Sequence, residues 1–178
     1  ARLILALGQG SQNVSGDFVC IRRANDISQD VGFIPSPGVS KHSDEEFGTH
    51  HARDVHDLFA TIDYDPVVFS SALKINSQYM HTIRFSLSLP GKLSRDECVD
   101  RLSDDPFIAL TQKSTTNQVF SFGRDHGFYG RIYNQAIVNE PSLFVRYDSS
   151  SDVTWVKGYS FTPQDANSLL SSAAACLY

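Results

Sequence analysis

His50, His51 and His56 lie within seven positions of one another in FGTHHARDVHDLF (47–59), half of the six histidines in the chain. Imidazoles at this density could ligate a metal, bind an anion or carry protons. Spacing weakens the metal alternative. His50 and His51 are adjacent and would diverge on a helix, and His51 and His56 are five apart, off the i, i+4 face. An anion site fits better. Thr49 is placed to cap a short helix bearing Val55, Leu58 and Phe59 at helical spacing, and the free amides of a helix start attract negative charge. Arg22 and Arg23 close the strand-like run GDFVCIRR (16–23) and offer guanidinium forks to a phosphate. On spacing alone, ordinary surface histidines on a polar segment remain the default.

His81 is set differently. In YMHTIRFSLSL (79–89), Tyr79, His81, Ile83, Phe85, Leu87 and Leu89 share one face of a strand, while Thr82, Arg84, Ser86 and Ser88 take the other. An imidazole on an apolar face is either a hydrogen-bonded core residue or an acid–base group tuned by its surroundings, and composition does not choose between them. GQGSQ (8–12) lacks the third glycine of a dinucleotide fingerprint and follows helix-like residues, so it fails in both residues and context. The sequence contains no GxxxxGK[ST], HExxH or GxSxG.

The 178 residues suit one domain. Hydrophobic residues at 41% and charged residues at 20% describe a globular chain able to bury a core. A formal charge of −5 without a basic run argues against nucleic acid, and no apolar run is long enough for a membrane-spanning helix. Cys20, Cys98 and Cys176 are widely spaced with no CxxC pair, and read as reduced, mostly buried thiols of a cytosolic protein. ARLILAL reads as the end of a helix stopped by Gly8 and Gly10, and the start at Ala1 suggests a fragment or a processed product.

Strands are predicted at 16–23, 66–75, 79–89, 106–112, 133–139, 142–148 and 153–161, with an irregular connection containing Pro35, Pro37 and Gly38 after the first. LSRDECVDRL carries a capping box, Ser94 with Glu97, and a Leu93–Cys98 staple. Further helices are predicted over 117–127, stopped by Gly127, and from Thr162 as N-cap with Pro163 behind it. Neighbouring strands with inserted helices predict an α+β domain: a mixed, largely antiparallel sheet with helices packed on one face.

In chain order, VCIRRANDISQ (19–29), FIPSP (33–37), THHARDV (49–55), YMHTIRFSLSL (79–89), LSRDECVDRL (93–102) and TPQDANSLL (162–170) make a recognisable succession. It resembles the catalytic domain of the archaeal-type (class II) glyceraldehyde-3-phosphate dehydrogenases across essentially the whole chain. That family has a strand ending in Arg-Arg, an Ile-Pro-x-Pro turn, a Ser/Thr-His-His-Gly-Pro-Asp-Val segment and a Leu-Met-His strand. The resemblance implies that His50, His51 and Arg22 meet substrate phosphate and that Arg23 meets cofactor. It makes His81 the base that activates a nucleophilic cysteine. It also implies NAD or NADP in an intact parent, with none expected for this chain alone, and no metal. The partner would be a phosphorylated small molecule or inorganic phosphate, in a cytoplasmic homo-oligomer joined through its sheet, without nucleic acid or membrane. His56 matches no family site.

Departures from the family pattern bear on activity. The family's nucleophile lies in a Ser-Cys-Asn-Thr-Thr phrase just ahead of the residues that ARLILAL matches, and none of the three cysteines takes that place. The N-terminal nucleotide-binding domain has no counterpart. Ala52-Arg53 replaces the Gly-Pro after the paired histidines and adds a charge beside the site. The family's His-Gln-Glu-Ser loop, whose Gln approaches the nicotinamide, has no counterpart between VTWVKGYSF and Thr162. Residues 1–178 are therefore expected to form a single catalytic-domain unit, a fragment or divergent relative that is inactive as it stands. The alternatives are a non-catalytic binding or oligomerisation module and a related semialdehyde or acyl-phosphate reductase.

Overall fold

The computed structural model describes residues 1–24, 35–77, 80–125, 136–163 and 176. Its elements run α1 (Arg2–Gly8), β1 (Ser15–Arg22), β2 (Gly38–Val39), α2 (His50–Ala60), β3 (Val67–Lys74), β4 (His81–Pro90) and α3 (Arg95–Asp104). They continue as β5 (Ile108–Thr111), α4 (Thr116–Asp125), β6 (Ala136–Asn139), β7 (Phe144–Asp148) and β8 (Val153–Thr162). The eight strands form one sheet in the order β2-β3-β1-β4-β8-β6-β5, with β7 also pairing β8. β1 lies parallel to β3 and β5 to β6; the other pairs are antiparallel. The α+β architecture with a mixed, largely antiparallel sheet is thus as the sequence implied.

Local chemistry sets the helix ends. At α3 the Ser94 hydroxyl accepts the Glu97 amide at 3.2 Å while Glu97 Oε2 accepts the Ser94 amide at 2.7 Å. Both arms of the capping box therefore close. Leu93 and Cys98, the expected staple, are buried in the same core. The buried Thr154 hydroxyl accepts the Leu93 amide at 3.0 Å and donates to the Gly91 carbonyl at 2.7 Å, tying the turn before α3 to β8. α1 stops where Gly8 and Gly10 predicted, yet the residue in the left-handed conformation that closes it is Gln9, at φ 49°. Arg101 of α3 donates from Nη1 to the Leu7 carbonyl at 2.7 Å, satisfying one of the carbonyls a helix end leaves open.

Alternation in β4 places Phe85, Leu87 and Leu89 against the helices, each at most 1% exposed. Ile4 and Leu7 of α1, Phe59 of α2 and Leu102 of α3 close over them, with Val138 and Val156 from β6 and β8. α1, α2 and α3 therefore share one face. α4 adds a small patch on the other, where Val119 packs with Met80, Ile137 and Phe161. The connection after β1, expected to be irregular, contributes β2 to the sheet edge beside β3. Thr162, expected as an N-cap, ends β8 in register with His81. Gly127, residues 25–34 and the expected closing helix after Pro163 lie outside the described residues, apart from Cys176. No described helix is long and apolar enough to cross a membrane.

Candidate functional site

β1 and β8 end, and β4 and β6 begin, at one end of the sheet. Strand register there sets Cys20 beside Ile83, Ile83 beside Ser160, and His81 beside Thr162, all directed to the face that carries α1 and α2. The first residues of both helices reach the same end. Between them lies a cavity of about 560 Å³ whose polar lining includes Cys20, His51, Asp54 and His81, beside Ala1 and Arg2 of α1. Phe18, Val55, Val68 and Ile83 belong to its apolar wall.

Position of α2 is enforced rather than left to its sequence. Thr49 caps it, accepting the His51 amide at 3.3 Å, and the same hydroxyl meets the buried Ser70 hydroxyl of β3 at 2.7 Å. The Ser70 amide in turn donates to the Phe47 carbonyl at 3.0 Å. Gly48 between them holds φ +76°, and a Cβ there would stand 2.2 Å from the Ser70 carbonyl oxygen. A residue with a side chain cannot enter without moving α2 or β3.

Held this way, His50 and His51 do not diverge as their adjacency suggested: the rings lie 4.0 Å apart between centroids. Asp54, one turn on, joins them, and the potential ligand atoms of the three residues all lie within 4.8 Å of one another. Sequence reasoning missed Asp54, although its i, i+3 spacing from His51 was a usable signal. Two imidazoles and a carboxylate are donors of the right type for a divalent cation. The surrounding charge opposes one, because the group sits on a helix start and Arg22 acts on it. Burial chiefly, then the neighbouring His50 and Arg22, hold His51 below the usual imidazole range, against the pull of Asp54.

The two arginines separate, as strand alternation requires. Arg22 is exposed, and its charge is felt by both His51 and Cys20. The Arg23 side chain is buried, 6% exposed, and the residue meets the site through its backbone: its amide donates to His81 Nδ1 at 3.2 Å. Cys20, which sequence reasoning did not place at the site, is two residues before Arg22 on the same face. Burial raises its thiol pKa, with Arg22 partly opposing, so it stays protonated and is no activated nucleophile. Cys98, 0% exposed, is pushed up to about 11 by burial, and Cys176 is an exposed free thiol. Arg53, expected to add charge beside the site, is instead neutralised by Asp44, whose other oxygen accepts the Phe47 amide at 2.8 Å. His56 faces away, its ring 4.9 Å from that of Phe47 and its nitrogens against Asp57 and Asp65.

No protein-family model matches the chain. Among curated proteins it is similar to two glyceraldehyde-3-phosphate dehydrogenases. It is 28% identical to that of Sulfolobus acidocaldarius over 101 residues, 54% of this chain and 28% of the relative. It is 23% identical to that of Methanocaldococcus jannaschii over 153 residues, 81% of this chain and 42% of the relative. Its fold matches the crystal structure of aspartate semialdehyde dehydrogenase II from Vibrio cholerae with a TM-score of 0.59 at 12% identity, covering 90% of this chain and 52% of that one. The chain thus spans less than half the length of the curated relatives it matches, and its fold is one that a semialdehyde dehydrogenase also uses.

Proposed function

We propose that this chain is the substrate-binding and acyl-transfer domain of an NAD- or NADP-dependent dehydrogenase of the glyceraldehyde-3-phosphate dehydrogenase type. The observation that carries the reading is the shared cavity, which brings His81, the start of α1 and the His51 end of α2 to one place. In the intact parent the family's cysteine, carried just ahead of the residues matched by Ala1, would enter this cavity and add to an aldehyde carbonyl beside His81. The nicotinamide supplies the hydride acceptor when bound. Arg23 is buried and β8 runs unbroken where the family carries its glutamine loop, which argues against the family's own side-chain contacts to the nicotinamide here. His50, His51 and Arg22 hold the phosphate that the substrate carries, or the phosphate that releases the acyl group. Imidazole N–H and guanidinium donors at a helix start suit that task.

The apolar wall of the cavity, with the fold shared with a semialdehyde dehydrogenase, supports a second reading within the same chemistry: a semialdehyde or acyl-phosphate reductase whose substrate carries an aliphatic segment. Either enzyme would work in the cytoplasm as a homo-oligomer. Phe144, Trp155 and Tyr159, 51%, 40% and 43% exposed on the β7–β8 surface, support association through the sheet.

Histidine NMR during a phosphate titration tests the anion site. Resonances of His50 and His51 should move together, and His50→Ala or Arg22→Ala should weaken binding about tenfold, as loss of a charge-assisted hydrogen bond does. Phosphate that leaves both resonances unmoved would reject the retained site and favour a non-catalytic module. Zinc binding far tighter than phosphate would favour a metal.

A further inference from the structure

The charged and apolar parts of the cavity are separated along the sheet, and their order points to the shape of the ligand. We propose that the ligand carries a phosphate head at the rim and an unbranched alkyl tail directed inward, as in the acyl phosphate of an aliphatic aldehyde. The head rests on the anion site proposed above; the tail does not.

Strand register gives the order. The rim rung carries His81 beside Thr162, and at the same end His51, Asp54 and Arg22 are exposed. One rung in, Cys20 lies beside Ile83; the next rung pairs Phe18 with Ser70, and the next Gly16 with Val68. Gly16 also pairs Leu87, six residues along β4 from His81, so Val68 lies about 20 Å in from the rim. Burial deepens in the same direction. Ile83 and Phe18 are half-buried, Val68 is 4% exposed and Ala52 of α2 is 3% exposed.

Little along that path can serve a polar tail. The Cys20 thiol is kept protonated by burial and is a weak hydrogen-bonding group. The Ser70 hydroxyl is shared with Thr49 at 2.7 Å. Ser160 stands beside Ile83, one rung in, and so reaches only the part of a ligand next to its head. Arg2 holds its guanidinium over the Phe107 ring, 3.9 Å from the centroid. Asp54 at the rim disfavours a second acidic group. Hydroxyls on the tail would thus be buried without partners and a tail carboxylate without a cation, whereas methylenes would meet Ile83, Phe18, Val55 and Val68. The phosphate at His50 and His51 is on this account the one that releases the acyl group, and the aldehyde carries none of its own.

Binding of n-alkyl phosphates from methyl to hexyl, measured by calorimetry and by the methyl resonances of the chain, tests the assignment. Affinity should rise about threefold to fourfold with each methylene that enters. Propyl phosphate should exceed glycerol phosphate, its dihydroxy counterpart, about tenfold. The Ile83 methyls should respond to short chains and the Val68 methyls only to longer ones. Affinity independent of length, or glycerol phosphate bound as tightly as propyl phosphate, overturns the proposal. So does a gain with length that leaves the Ile83 and Val68 methyls unmoved. The 1-alkanols carry the tail without the head and separate the two readings. If inorganic phosphate fails to bind, a rise from 1-propanol to 1-hexanol that moves those methyls upholds the tail site while the anion site falls. A flat alkanol series in that case removes both.

Discussion

Substituting alanine at Gly48 isolates the contact that seats the histidine helix, because two other glycines serve as controls. Gly10, Gly48 and Gly91 hold nearly the same positive φ, at +75°, +76° and +78°. A Cβ at Gly10 or Gly91 meets nothing within 4 Å, so alanine there costs only the left-handed conformation, about 1–2 kcal/mol. At Gly48 the Cβ would lie 2.2 Å from the Ser70 carbonyl oxygen and 2.8 Å from the Phe69 ring. The carbonyl belongs to the sheet and cannot swing aside, so an overpacking cost of about 1–3 kcal/mol is added. Gly48→Ala should therefore lose about 2–5 kcal/mol, and the controls about 1–2. With a urea dependence of about 2 kcal/mol per molar, its midpoint should fall about 1–2.5 M, at unchanged slope. Relief of the clash requires α2 to move from β3, so phosphate binding should weaken in this variant and not in Gly10→Ala. A Gly48→Ala midpoint matching Gly10→Ala, with phosphate binding intact, would refute the claim that this contact fixes the site.

Ser94→Ala removes one arm of the capping box and should cost about 1 kcal/mol in thermal unfolding. Because Cys98 stays neutral in the fold to about pH 11, while an exposed thiol ionises near 9, stability should be complete below pH 9. It should then fall by about 2–3 kcal/mol as pH rises through that window, and Cys98→Ala should remove the slope. Cys98 should resist iodoacetamide in the native chain and react once urea unfolds it, read by mass spectrometry. His51 is held below the usual imidazole range, so its charged form is disfavoured in the fold and stability should decline as pH falls below about 6.5. Sulfate, whose charge is constant there, should bind more tightly over the same interval and lessen the decline, as a set of pH-dependent melting curves would record.

What the sequence made legible were features whose causes are local. Ser94 and Glu97 are three apart, and the box they form needs nothing beyond their own turn. Thr49 likewise announced α2, and the β4 alternation announced which residues face the helices. The pairing of Arg53 with Asp44 was not legible, since the eight residues between them fold back to make it. The convergence of His50 and His51 escaped for a related reason: their spacing says nothing about the Thr49–Ser70 contact that orients the helix. The left-handed Gln9 shows a helix stop reached without the glycine that usually marks it. The Arg23–His81 bond joins residues 58 positions apart and involves a backbone group, to which residue type gives no clue.

β8 is the last described strand in the chain and sits in the interior of the sheet, pairing β4 on one side and β6 and β7 on the other. As a nascent chain leaves the ribosome, β1, β2, β3 and β4 can assemble early, and β5 can find β6, but no strand pairing joins the two groups until Val153–Thr162 arrives. Until then the long edge of β4 is open, with its amides and carbonyls unpaired, which is where an incomplete sheet is most exposed to pairing with another chain. Closure must also bring together segments far apart in sequence, the situation that makes folding slow. The same late strand completes the rung that carries His81 beside Thr162. The His81–Thr162 rung is thus closed only when the last described strand arrives, so a chain released before Thr162 could hold half a sheet with its site incomplete.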